Sequence, residues 1–174
     1  FNAWRERTGH TILERYGMSE TIMLSSNPYR ARDGERRGGT VGFPLPGVGL
    51  RVRGDDGRDL PAGEIGGIEV RGPNVFKGYW RMPEKTAETI VDGVLHTGDL
   101  GYTDEDGYFY IVDRAKDMYR SGGENVYPAE IEKALSEHPK ILNVAIIGVS
   151  DDRWGETGKA FVVPKEGQSL TPEE

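Results

Sequence analysis

The chain contains no cysteine, which excludes both a disulfide framework and a thiolate-bound metal. Nothing in it calls for an oxidising compartment, and the cytoplasm is the expected location. Long apolar runs are missing too: no stretch approaches the roughly 20 residues that a membrane-spanning helix needs. The opening residues, FNAWRERTGH, are polar and begin without Met, so no secretory leader is read there. Excess positive charge is also absent. The net charge of −7 argues against nucleic acid as the main partner. A phosphate-bearing ligand would therefore be held by local donors and not by the field of the whole molecule. Internal repeats, heptads and low-complexity tracts are not found.

What is present is a chain of 174 residues, enough for one ordinary domain or a little more. Residues 1–26 hold a short helix-like piece, an apolar segment around Ile12 and Leu13, and the run YGMSET. Residues 27–39 are charged, glycine-rich and aperiodic, which predicts a loop. From about 40 to 112 the pattern is β. Apolar and polar residues alternate in LRVRG (50–54) and IEVRG (68–72), separated by the turn clusters DDG and PAGEIGG. A helical insertion is predicted over PEKTAETIVDG (83–93). A hairpin follows: DLGYT, the turn DEDG (104–107), then YFYIVD. These strands predict a small antiparallel barrel or meander.

The alternation stops at DRAKD (113–117). SGGEN reads as a glycine-rich loop leading into YPAEIEKALSEHP, where Pro128 suits a first helical turn and Ile131 and Leu135 share one face. His138 and Pro139 end that helix, and VAIIGVSD and KAFVVP read as strands. The expected class is α+β: an antiparallel β-barrel-like subdomain followed by an incomplete small α/β domain, divided at Lys116. The last residues, TPEE (171–174), have the form of a helix start, with Thr as N-cap, Pro next and two acids in the first turn. The helix does not follow, and the first residues enter an apolar stretch without a start signal, so both ends read as cut.

Three groups of residues carry chemistry. The DEDG turn folds one strand on the other. Pairing Thr103 with Tyr108 would put Asp99 opposite Val112, with Arg114 just past the same open end. A carboxylate can accept from two vicinal hydroxyls, and a guanidinium can donate to the same diol or to a phosphate, so the pair suits a ribose. A plain Asp–Arg ion pair or a turn-capping Asp is the alternative. In YGMSET, Tyr16 offers a flat face to a base, Ser19 a hydroxyl to a phosphate, and Glu20 a hard oxygen to Mg²⁺ carried by a nucleotide. Gly17 permits close backbone approach. A strand end and turn is the structural alternative for these six residues. In SGGENVYP (121–128), backbone N–H groups beside two glycines could meet a phosphate or a narrow ligand, and a flexible connector is the alternative.

Taken in order, these runs resemble the adenylate-forming superfamily: acyl-CoA synthetases, aryl-CoA ligases, luciferases and peptide-synthetase adenylation domains. YGMSET is similar to the motif after the central strand of the large domain, and TGDLGYTDEDGYFYIVDRAKD to the ribose-binding stretch and hinge. SGGENVYPAEIE is similar to the opening of the C-terminal lid, and GPNVFKGYW with PEKT also fits. The resemblance covers nearly the whole chain. It implies that residues 1–39 end the large N-terminal domain core, 40–116 form the β-barrel subdomain with its hinge at Lys116, and 117–174 begin a C-terminal lid domain.

By the same resemblance Tyr16 stacks on adenine, Ser19 touches the α-phosphate, Glu20 the Mg²⁺, and Asp99 and Arg114 hold the ribose. Gly122 and Gly123 line the path of CoA's pantetheine. Ser19 stands where Thr is usual, which keeps the hydroxyl. Asn125 stands where some relatives place a phosphate-contacting Arg, and no phosphate role is assigned to it. ATP, Mg²⁺ and CoA are the implied cofactors, and a small-molecule carboxylate the implied partner. A Ser/Thr/Gly-rich phosphate loop and the segment bearing the adenylation Lys are not found in these residues. No complete catalytic set is therefore expected here, and the isolated chain is expected to be inactive.

ERYGMSETIMLSSNPY, with GERR and NVFKGYWRMPEKT, is most similar to malonyl-CoA synthetases. Met23 and Gly17 would then help shape a short acyl pocket. Otherwise Met23 is core, and Arg36 and Arg37 are solvated loop charges. Loading of a carrier protein in place of CoA, or an inert structural fragment, are the competing functions.

Overall fold

The computed structural model describes residues 1–171, so the helix start expected at 171–174 lies largely outside the described residues. The chain forms two compact units, Phe1–Ile111 and Val112–Glu174. Both mix helices with antiparallel sheets.

The first unit opens with α1 (Asn2–Thr8), a short helix that buries none of its residues. Gly9, at φ 72, closes it by donating to Arg5 O at 2.8 Å. A three-stranded sheet follows: β1 (Arg15–Tyr16), β2 (Ser25–Ser26) and β3 (Phe43–Pro44), in that spatial order. The loop predicted over 27–39 contains a single 3-10 turn at Ala31–Asp33, and a buried amide ties its two ends together. Asn27 Nδ2 donates to Thr40 O at 2.9 Å, and its Oδ1 accepts the Arg37 N–H at 3.0 Å.

The second sheet holds β4 (Gly49–Arg53), β5 (Gly66–Arg71), β6 (Ile90–Val91), β7 (Val94–Thr103) and β8 (Phe109–Arg114), the last of which runs across the unit boundary after Ile111. Its order is β4-β5-β7-β6, with β8 also on β7. The two predicted alternating runs are β4 and β5. Leu50 faces Val70 and Val52 faces Ile68 in register, and all four are buried. With Leu24, Leu95 and Phe109 they form the core of this unit. Truncating such a buried Leu costs about 2–5 kcal/mol. The two sheets are joined where Val41 donates to Phe109 O at 2.8 Å and Phe109 donates to Gly42 O at 2.9 Å.

Two sequence expectations are corrected in this unit. The helical insertion is shorter than 83–93: α2 (Pro83–Thr89) ends early, and Ile90 and Val91 are strand, paired with Leu95 and Val94 across a turn at Asp92 and Gly93. Both turn residues have positive φ, as a tight two-residue hairpin requires. The DEDG hairpin is present, but its closing bond runs from Asp104 N–H to Tyr108 O at 3.0 Å. That is one residue further round the turn than a Thr103–Tyr108 pairing. Asp104 Oδ1 explains the shift, because it accepts from the amides of Asp106 and Tyr108 and builds a side-chain turn.

The second unit contains β9 (Tyr119–Ser121), β10 (Glu124–Val126), α3 (Pro128–Ser136), β11 (Ile141–Asp151) and β12 (Gly155–Pro164), with sheet order β10-β9-β12-β11. SGGEN is not a loose loop. Gly122 and Gly123, at φ 61 and 91, turn β9 directly into β10, with Ser121 opposite Glu124. α3 has no side-chain cap of its own residues; Asp113 Oδ2 instead accepts the Ala129 N–H at 3.0 Å. Ile131 and Leu135 of α3 pack on a core of Tyr119, Ile141, Val144 and Ile146. Glu132 also reaches the edge strand β11, where its Oε1 accepts the Ile146 N–H at 2.8 Å.

Candidate functional site

The TGDL segment owes its geometry to a bulge. Gly67 pairs with Leu100 and Glu69 with His96, so β7 advances from 96 to 100 while β5 advances only from 67 to 69. Gly98 sits in the middle at φ 76, a conformation costly for any side chain. Thr97 spans the irregularity: its hydroxyl donates to Ile68 O at 2.9 Å and accepts the Asp99 N–H at 3.1 Å. The bulge re-aims Asp99, which is only 6% exposed. Its Oδ2 accepts the Tyr16 hydroxyl at 2.5 Å.

Tyr16 comes to that position from β1. Its carbonyl accepts the Leu24 N–H at 2.8 Å, and between them the chain makes a tight turn in which Met18 O accepts from Thr21 and Ile22. Ile22 has φ 64. A Cβ on Gly17 would run into the Ile22 carbonyl, so this turn requires glycine. Ser19 lies exposed on the same turn.

Glu20 is held twice by a segment that sequence reasoning did not assign to the site. Its carbonyl accepts the Phe76 N–H at 2.8 Å, and its Oε1 accepts the Tyr79 hydroxyl at 2.7 Å. Asn74 Nδ2 donates to Thr21 O and Met23 O in the same seam. The hydrogen bond to Glu20, then burial, push the Tyr79 phenol above its usual range. The two tyrosine–carboxylate contacts join residues 83 and 59 positions apart, which no local spacing reveals.

The remaining predicted residues belong to the second unit. Arg114 ends β8, donates its N–H to Asp113 Oδ1 at 2.7 Å, and offers its carbonyl to the amides of Asp117 and Met118. Lys116 lies in the turn that follows, its side chain 73% exposed. Gly122 sits against the Trp154 ring and donates its N–H to Trp154 O at 2.9 Å. Thus Tyr16, Gly17, Ser19, Glu20, Met23 and Asp99 are in the first unit, and Arg114, Lys116, Gly122 and Gly123 in the second.

Arg36 and Arg37 are not solvated loop charges. Arg36 donates to the carbonyls of Thr11, Pro28 and Tyr29, each at 2.9 Å. Arg37 bridges Asp104 and Asp106 and lies 4.1 Å over the Tyr108 ring. Met23 is half-buried, its carbonyl engaged by Asn74.

Among the described residues no group of three or more His, Asp or Glu could hold a metal. The single half-buried carboxylate of Glu20 fits a different case. A Mg²⁺ that arrives on nucleotide phosphates keeps most of its ligands and takes only one or two protein oxygens.

Solved structures share this architecture, and curated enzymes share its sequence. ATP-bound MatB from Rhodopseudomonas palustris is 51% identical and superposes with a TM-score of 0.87 over 98% of this chain and 34% of that one. Feruloyl-CoA synthase from Amycolatopsis sp is 47% identical over 166 residues, 95% of this chain and 34% of the relative. Fatty acid–[acyl-carrier-protein] ligase ScoC from Streptomyces coeruleorubidus is 50% identical over 132 residues, 76% of this chain and 25% of the relative. The profile of AMP-binding enzymes matches residues 1–80, and that of the AMP-binding enzyme C-terminal domain matches residues 130–174. The chain belongs to the AMP-binding enzyme family. It spans about a third of the length of the first curated relatives it matches.

Proposed function

We propose that this chain is the ribose-binding, hinge and early lid portion of an ATP-dependent acid–CoA ligase. The observation that carries the proposal is the bond between Tyr16 and Asp99, two residues drawn from separate motifs of one family and placed on adjoining sheets. Asp99, buried and oriented by the Tyr16 hydroxyl, accepts from the ribose diol, and the motif resemblance assigns Arg114 to the same ribose. The ring of Tyr16 supports the adenine, and Ser19 contacts the α-phosphate. Glu20 holds the nucleotide's Mg²⁺, which when bound neutralises phosphate charge.

The substrate carboxylate displaces pyrophosphate from the α-phosphorus of ATP, giving acyl-AMP. The CoA thiol then attacks the acyl carbon and releases AMP. The chain's own residues position the nucleotide for that in-line attack. Lys116 is the pivot by which one pocket serves both steps, and Gly122 and Gly123 line the pantetheine path. These residues do not complete the site alone, because the phosphate loop and adenylation Lys are not among them.

Malonate is the acid favoured by the motif resemblance, with Gly17 and Met23 shaping a short pocket and the enzyme working in the cytoplasm. The second reading, transfer to a carrier protein, is supported by the likeness to the acyl-carrier-protein ligase. The test is pyrophosphate exchange by the full-length enzyme with malonate, ferulate and a fatty acid, followed by acceptor trials with CoA and a phosphopantetheinylated carrier protein. Exchange with malonate and thioester formation on CoA are expected. No exchange with any carboxylate would overturn the ligase reading, and transfer only to the carrier would establish the second.

A further inference from the structure

We infer that Tyr79 is a positioning residue for the nucleotide's metal ion, acting through Glu20. This rests on the proposed role of Glu20 as the Mg²⁺ ligand. Tyr79 is itself firmly placed. Its N–H donates to Thr86 Oγ1 at 2.9 Å, and the Thr86 hydroxyl donates onward to Met82 O at 2.9 Å, so the first turn of α2 fixes the tyrosine backbone. Gly78, at φ 140, packs against the Thr86 side chain where a Cβ would collide. The Tyr79 ring meets Phe76 edge-on at 4.8 Å, and Phe76 donates its N–H to the Glu20 carbonyl. One short segment thus grips both the backbone and the carboxylate of Glu20.

A half-buried glutamate on a turn has several rotamers, and only some aim an oxygen at a ligand. A donor on Oε1 selects among them before the nucleotide arrives, which removes an ordering cost from metal binding. The phenol is suited to this because it donates without bringing a positive charge to compete with the cation. A lysine in its place would repel Mg²⁺.

The inference is tested in the full-length enzyme by calorimetric binding of ATP with Mg²⁺ and of ATP with chelator. Tyr79→Phe, which keeps the ring and its packing, is expected to weaken Mg²⁺–ATP binding on the order of tenfold, the low end for a hydrogen bond to a charged group. Metal-free ATP binding should be unchanged, and raised Mg²⁺ should restore the loss. Equal weakening with and without metal would overturn the inference and make Tyr79 a general brace. No weakening in either would also overturn it. Glu20→Gln separates the two layers. If it too leaves Mg²⁺–ATP binding intact, the Glu20 reading fails; if it weakens binding while Tyr79→Phe does not, only the Tyr79 inference fails.

Discussion

The hydroxyl of Tyr16 donates to Oδ2 of Asp99 across 2.5 Å, tying the end of β1 to the bulge in β7. The bond holds the carboxylate in one rotamer before any ligand is present. Tyr16→Phe should cost roughly 1.5–3 kcal/mol in stability, since it removes a donor from a buried charged acceptor. Urea unfolding should show a lower midpoint with an unchanged slope. An unchanged midpoint would mean that water replaces the phenol without loss.

Asp99→Ala in the full-length enzyme should raise the ATP concentration needed for half-maximal rate by about ten- to a hundredfold, from the loss of charged hydrogen bonds to the ribose. A double-mutant cycle with Tyr16→Phe should be strongly non-additive, because Tyr16 acts partly through Asp99. If ATP dependence stays at the wild-type value, Asp99 serves the fold alone.

Acid should unfold the first unit partly through Asp104. Burial pushes its carboxyl up, but the Tyr108 amide, the Tyr110 hydroxyl and the Arg37 guanidinium outweigh that and hold it below the ordinary 3.8. The folded state then binds fewer protons than the unfolded state. Its stabilisation is complete above about pH 5 and is lost as pH falls through and below 4. Asp56 beside Arg58 and Asp59 beside Arg53 are lowered and act in the same direction. Unfolding midpoints measured from pH 6 to pH 2.5 should fall steadily, less steeply in Asp104→Asn. A midpoint that climbs on acidification would contradict the assignment.

Gly42, at φ 73, faces the Ser26 carbonyl so closely that a Cβ has no room, whereas Gly63, at φ 86, faces open space. Gly42→Ala should cost roughly 3 kcal/mol or more, from steric overlap added to the left-handed penalty. Gly63→Ala should cost only the left-handed penalty, about 1–2 kcal/mol. Thermal melts of the two variants should differ accordingly, and equal losses would show that close packing at Gly42 is unimportant.

Lys116→Pro tests the pivot. Proline sets φ near −65° and restricts Ala115 before it. In the full-length enzyme acyl-AMP formation should persist while thioester formation from preformed adenylate falls. Loss of both halves together would point to misfolding, and loss of neither would place the pivot elsewhere.

Much of this protein was settled by the sequence alone. Strands such as β4 and β5 were legible because one face is buried, so Leu50, Val52, Ile68 and Val70 alternate with polar neighbours. The hairpin at DEDG and the helix start at Pro128 were legible because turn and cap chemistry is local. The family was legible because its motifs are contiguous runs. Tertiary structure alone decided what those runs touch. Nothing in TGDL says that Gly98 forms a bulge, since a bulge exists only relative to the partner strand β5. Nothing near YGMSET points to Tyr79, because the phenol reaches Glu20 only after the chain has passed through the second sheet. The extra closure at Asp104 and the strand at Ile90 had the same cause, for each depends on which backbone groups lie opposite. Residue type determines what chemistry a side chain can perform, but its partner and its aim are set by chain segments far away in sequence, and only packing brings those together.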